Sequence, residues 1–248
     1  MIYCEDCLTT LDRFEDNYLD LIVTSPPYNV GLKYDGYSDV MNYDDYLEWI
    51  EVVFKRIYQK TKSGGRCCIN VGDQKNGQIS LHSDIINLMN NIGWLNFTLI
   101  IWDKGHTNNR TAWGSYLSPS CPSFPRGFEY ILVFAKTSLK LSSKGQTDLE
   151  RQEFIDWSYG HWKIKPETKQ IKHPAPFPIE IPKRLIKMLS WKSAVVYDPF
   201  SGSGTTAVAC KETNRIFIGS EISQEYVNDS LSRLSNHKTI KNKTNDLF

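Results

Sequence analysis

Apolar positions along this chain follow two periods, and the two periods alternate in order. Tyr46, Leu47, Ile50, Val53, Phe54 and Ile57 recur at helical spacing, which predicts a helix over Tyr43–Thr61 that Gly64-Gly65 would end. The same spacing predicts helices over Ser80–Asn91, Ile181–Leu189 and Ser223–Leu234. Between these lie short, mostly apolar runs: Leu21–Val23, Arg66–Val71, Trp94–Trp102, Tyr130–Ala135, Ala194–Tyr197 and Ile216–Ser220. Apolar runs of this length predict strands covered on both faces. Ile2-Tyr3-Cys4 adds a short strand, and Asp6–Phe14 a short helix or turn. The alternation predicts an α/β sheet with helices on both faces.

Three stretches lack either period. Residues 30–42 are rich in Gly, Tyr and Asp and read as a mobile loop. Residues 107–127 carry Trp113, Tyr116, several prolines and Phe124, too irregular for a plain connection. Residues 136–172 scatter Trp157, Tyr159, His161 and Trp162 among polar neighbours. His173-Pro-Ala-Pro-Phe-Pro178 then stiffens the approach to the next helix, and the tail from Ser235 has a disordered composition.

Candidate chemistry sits where two apolar runs end. The first run passes into Ser25-Pro26-Pro27-Tyr28. Two consecutive prolines donate no backbone hydrogen bond, so strand pairing stops there and the turn is rigid. It presents a hydroxyl, free carbonyls and an aromatic ring. A planar base could stack on Tyr28 while its amino group donates to Ser25 Oγ and the Pro26 carbonyl; a plain proline turn is the alternative. The second stretch is Asp198-Pro199-Phe200-Ser201-Gly202-Ser203-Gly204-Thr205, a strand end, a glycine loop and a helix start. Glu221 follows about 20 positions later, where an acidic residue can bind ribose hydroxyls. The loop also satisfies GxGxxA, so a nicotinamide-dependent oxidoreductase is an alternative, but too little chain follows Glu221 for a six-stranded nucleotide fold. No Gly-Lys-Ser/Thr follows, which excludes a P-loop. A non-catalytic DNA-binding protein would need neither motif intact.

The two motifs together resemble the β group of DNA amino-methyltransferases, with the catalytic motif first and the S-adenosylmethionine motif late in the chain. The resemblance implies a circularly permuted Rossmann-like methyltransferase fold with a seven-stranded, mostly parallel sheet. It implies a catalytic part over 1–135, a small target-recognition insertion over 136–172, a cofactor-binding part over 173–234 and a flexible tail over 235–248. Ser25, Pro26, Pro27 and Tyr28 would be catalytic. Asp198, Pro199, Phe200, Ser201, Gly202, Gly204, Thr205, Glu221 and Ile222 would bind S-adenosyl-L-methionine. Asp6 would join them near the adenine, or simply cap its helix. The expected reaction is direct methyl transfer to the N4 of a cytosine flipped out of double-stranded DNA, with adenine N6 as the alternative. A separate restriction endonuclease would be the partner, and the enzyme a monomer or homodimer.

Composition changes little in this picture. Basic residues number 29 and acidic 28, so net charge does not announce nucleic acid. Between Lys163 and Lys192 basic residues dominate, a segment that could face phosphates or be a solvated face. Lys33, Arg110, Arg126, Lys163 and Lys165, set among aromatics, are the candidate DNA contacts. Cys4-Glu-Asp-Cys7 has metal-type spacing without a second pair, so no metal is expected. Cys67-Cys68 reads as core, and Cys121-Pro122 reverses the order used by cytosine C5 methyltransferases. No apolar run is long enough to span a bilayer, and a cytoplasmic location is expected.

Overall fold

The apolar runs form the middle of one eight-stranded sheet, ordered β1-β10-β9-β2-β5-β7-β6-β8, in a computed structural model. It describes residues 1–29, 33–34, 37–38, 41–105, 114–124, 126–167 and 177–237, with backbone alone at 33–34, 37–38 and 76. The strands are β1 (Ile2–Cys4), β2 (Leu19–Thr24), β5 (Thr61–Val71), β6 (Trp94–Asp103), β7 (Phe128–Lys136), β8 (His161–Lys163), β9 (Val195–Asp198) and β10 (Ile216–Glu221). β7 runs antiparallel to both its neighbours and every other pairing is parallel. A two-stranded hairpin, β3 (Lys33–Tyr34) with β4 (Tyr37–Ser38), lies in the segment expected to be a loop.

Seven of the eight strands stand where the apolar runs predict them. The eighth, β8, extends the sheet beyond β6, with Trp102 opposite Trp162. Trp102 Nε1 donates to the Ile164 carbonyl at 2.8 Å, and Trp162 is buried. Part of 136–172 is therefore built into the main sheet. The same stretch supplies α4 (Arg151–Trp157), whose Glu153 pairs with Lys187.

Period two explains why the runs are mostly apolar. Successive residues face opposite layers, and in β2, β5, β7 and β9 both layers are largely apolar, whereas residues 95–99 of β6 are exposed, so that run is not covered on both faces. Ile22, Cys67 and Ile69 pack under α2 (Tyr43–Lys60) and α3 (Leu81–Ile92). Leu21, Val23 and Cys68 pack on the other face with α5 (Glu180–Leu189) and α6 (Thr205–Glu212). Burial pushes both the Cys67 and Cys68 thiols well up, so these adjacent cysteines act as core hydrophobes. Two more helices, α1 (Cys7–Leu11) and α7 (Gln224–Asn236), flank the β1–β10 edge.

Gly64-Gly65 does not end α2. That helix stops at Lys60 and passes directly into β5 at Thr61, whose Oγ1 donates to the Ile57 carbonyl at 2.7 Å. The glycines lie inside β5, where the register against β2 jumps from Leu19–Thr61 to Leu21–Arg66. Gly64 has φ +75, and a Cβ there would stand 2.1 Å from the Lys140 carbonyl oxygen. The pair makes a bulge that brings β5 into register.

The topology decides where the motifs meet. β9 comes late in the chain but pairs with β2, Leu21 with Val196 and Ile22 with Tyr197. Parallel strands end on the same edge, so Thr24, Asp198 and Glu221 are neighbours there. β7 is antiparallel, so its first residues, Phe128 and Glu129, join that edge.

Phe54 is fully buried on α2, under the sheet. Phe54→Ala is expected to cost about 3–5 kcal/mol by leaving a cavity. A denaturant titration should move the midpoint without changing the slope; a shift below about 1 kcal/mol would show that this layer is loosely packed.

Candidate active site

The proline turn is fixed by its tyrosine. Ser25 Oγ donates toward Tyr28 Oη at 3.2 Å and toward the Asn70 carbonyl at 3.1 Å. Tyr28 Oη lies 3.2 Å from the Asn70 carbonyl and 3.2 Å from Glu129 Oε2. Asn70 Nδ2 donates to both Tyr28 Oη and Glu129 Oε2, at 2.9 and 2.8 Å. The other oxygen of Glu129 pairs with Lys104, whose ammonium lies over the Trp102 ring. Gln74 Nε2 donates to the Tyr28 carbonyl, so the tyrosine is held at both ends. Asn29, at φ +54, exchanges two hydrogen bonds with the Met41 backbone and closes the base of the 30–40 segment.

The glycine loop is held from below and behind. Asp198 is buried beneath it and accepts from Thr24 Oγ1 and Thr206 Oγ1, each at 2.8 Å, and from the Phe200 N–H at 3.1 Å. Burial pushes its carboxyl up to about 6; those three donors oppose the rise, and Glu221 adds to it. Behind the loop, Ser230 Oγ donates to the Gly202 carbonyl at 2.8 Å, and Arg233 donates to the Ser203 carbonyl at 2.6 Å. Gly204 caps α6 at φ +77, where a Cβ would come within 2.7 Å of Ser230 Oγ. Only glycine fits both the backbone and that contact. Glu221 accepts from the Gly202 N–H at 2.8 Å and from the Ser223 N–H at 2.9 Å.

Both motifs open into one cavity of about 310 Å³. Ser25, Pro26, Pro27 and Tyr28 line one part; Pro199, Phe200, Ser201, Gly202 and Thr205, with Glu221 and Ile222, line another. Trp49 and Phe200, with ring centroids 5.5 Å apart, add an aromatic wall. Asp6 also lines the cavity while its carboxylate caps α1 by accepting from the Leu8 N–H at 2.8 Å. Asp198 sits under the loop rather than on the cavity wall, as a group that positions its neighbours.

The basic candidates fare differently. Lys163 and Lys165 are exposed, on the opposite side from buried Trp162 and Ile164. Arg126 pairs with Asp73, which also takes the His82 ring at 2.6 Å. The Lys33 side chain, Arg110 and the His173 segment up to residue 176 lie outside the described residues. Sequence reading missed Asn70, Glu129 and Lys104. Glu129 opens an apolar run, a signal that gains meaning only once β7 is known to run antiparallel.

A glycine loop and a hydroxyl-bearing proline turn facing one cavity is the layout of an amino-methyltransferase. The chain belongs to the DNA methylase family N6_N4_Mtase, whose model matches residues 19–232. It is 40% identical to the type II methyltransferase M.MjaVI of Methanocaldococcus jannaschii, over 61% of this chain and 79% of that protein. It is 30% identical to M.MjaI of the same organism, over 86% and 84%. Among solved structures it is similar to TTHA0409 of Thermus thermophilus complexed with S-adenosyl-L-methionine. That likeness has a TM-score of 0.76 and 27% identity, over 94% of this chain and 92% of that one.

Asp198 gives a pH test. Its carboxyl holds its proton up to about pH 6 in the fold, against an ordinary value of 3.8, so the native state binds the proton more tightly. Native stability should therefore fall as pH rises from about 4 through about 6. Unfolding free energies of wild type and Asp198→Asn, compared at both ends, should diverge by up to ~3 kcal/mol against wild type. A difference independent of pH would refute the raised carboxyl.

Proposed function

We propose that this protein transfers a methyl group from S-adenosyl-L-methionine to N4 of a cytosine in double-stranded DNA. The observation that carries the reading is that Ser25 and the Gly202 loop face one cavity. Gly202, Glu221 and the Trp49–Phe200 wall would hold the methyl donor, with Glu5 and Asp6 giving that end an acidic character that suits a cation. The donor supplies an activated methyl group on a sulfonium sulfur. Pro26 and Pro27 hold the turn stiff, and Tyr28 offers its ring to a base taken out of the duplex. Ser25 Oγ directs its hydrogen at Tyr28 or the Asn70 carbonyl, so its lone pairs are left to accept from the substrate amino group. Positioning of the nitrogen against the methyl group does most of the catalysis.

Ser25 favours cytosine, because in the amino-methyltransferases that this chain resembles the serine form of the motif goes with cytosine N4. Adenine N6 is the second reading. It is favoured by a 26% identity, over 92% of this chain, to the DNA adenine methyltransferase YhdJ of Escherichia coli. Exposed Lys163 and Lys165 would contact phosphates. Similarity to type II methyltransferases supports a restriction-modification role beside a separately acting endonuclease.

The test is nucleoside mass spectrometry of DNA treated with pure enzyme. N4-methylcytosine is expected. N6-methyladenine as sole product would replace the target base and leave the rest of the reading intact.

A further inference from the structure

Methylating an amino group leaves a proton to be removed. The nitrogen forms its bond to the methyl carbon as the carbon–sulfur bond breaks, and the sulfur keeps that electron pair. The nitrogen is then left with one hydrogen too many. The turn itself offers a hydroxyl, carbonyls and a phenol, none of which is a base at neutral pH. A carboxylate is nevertheless joined to it. Ser25 Oγ donates to Tyr28 Oη, and Tyr28 Oη donates to Glu129 Oε2, each at 3.2 Å.

We propose that Ser25, Tyr28 and Glu129 form a proton relay, with Glu129 as the terminal acceptor. The amino N–H bond breaks and its proton passes to Ser25 Oγ. The proton of Ser25 passes to Tyr28 Oη, and that of Tyr28 to Glu129 Oε2. Both hydroxyls end neutral and the carboxylate ends protonated, balancing the positive charge that the sulfonium gave up. The relay rests on the amino-methyl transfer proposed above and serves either base.

Three features favour this path. Asn70 Nδ2 bonds both Tyr28 Oη and Glu129 Oε2, which keeps the last two members within reach of each other. Gly72 lets them approach: a Cβ there would meet Glu129 Cγ at 3.2 Å and the Tyr28 ring at 3.5 Å. Lys104, partly exposed, holds Glu129 Oε1 and leaves Oε2 to the relay. Of the other charged groups nearby, Asp73 after β5 pairs with both His82 of α3 and Arg126 before β7. The competing acceptor, the Asn70 carbonyl, has no comparable affinity for a proton.

The test is single-turnover transfer of labelled methyl to unmethylated genomic DNA across pH, with S-adenosylmethionine affinity measured by calorimetry. Glu129→Gln should slow transfer about 100-fold or more. It should remove the fall in rate at acid pH and leave cofactor affinity within about twofold of wild type. Glu129→Asp should restore part of the rate and the acid limb. Tyr28→Phe keeps the ring but cuts the path, so Tyr28→Phe with Glu129→Gln should be no slower than the worse single variant. Wild-type rates in Glu129→Gln, slow transfer with the wild-type pH profile, or additive losses would each overturn the relay. If Glu129→Gln fails to fold, Glu129→Asp and Tyr28→Phe decide by the same profile. Wild-type enzyme that methylates no amino group would instead overturn the reading beneath it.

Discussion

The site depends on one buried carboxylate. Asp198 accepts from Thr24 at the end of β2 and from Thr206 in the first turn of α6. Thr24 immediately precedes Ser25, and Thr206 follows the glycine loop. The two motifs are separated by most of the chain and are tied here through two oxygens. Burying a carboxylate is costly, and hydrogen bonds to a charged group return only about 1.5–3 kcal/mol each. The raised carboxyl of Asp198 says that burial still outweighs its donors. The fold bears that cost to fix the distance between the proline turn and the glycine loop.

From that tie the site is stiffened outward on both sides. On the side of the glycine loop, Ser230 and Arg233 of α7 hold the loop carbonyls while Glu221 holds the Gly202 N–H. On the side of the proline turn, Asn70 and Gln74 hold Tyr28. Tyr28 and the glycine loop are thus each held by several neighbours, and such support fixes the geometry of a cavity wall. The charge is also divided. Glu5, Asp6 and Glu221 line the cavity on the side of the glycine loop, while Lys104 and Glu129 compensate each other beside the proline turn.

Most of the fold was legible because seven strands are long enough, or apolar enough, to show their period. β8 was not: it has three residues, and only Trp162 among them is buried. Gly64-Gly65 was misread because a bulge and a helix stop use the same residue for the same reason, freedom at positive φ. Both motifs of the site were legible, since each needs residue types with few other uses side by side. Their supports were not. Thr24, Asn70, Glu129, Ser230 and Arg233 are ordinary residues in ordinary elements, and only strand direction and helix docking bring them to the cavity. Arg126 pairs with Asp73, from a different element, a contact that no local pattern announces.

The late place of β9 in the chain follows from the same geometry. What the site requires is that β2, β9 and β10 lie side by side and end on one edge. Sheet neighbours are chosen by register and by apolar faces, neither of which records chain order. Tyr197 and Ile22 pair although one lies near each end of the chain, and Met1 extends the arrangement by donating its amino group to the Phe217 carbonyl. Bringing distant segments together costs entropy that grows only with the logarithm of the intervening length. A permuted order is therefore tolerable to the fold, and the chemistry at the strand ends is indifferent to it. Direction is another matter. If β7 ran parallel to β5, Phe128 would lie at the opposite edge, and Glu129 would leave the cavity with it. The antiparallel strand is what gives an otherwise parallel edge its extra carboxylate.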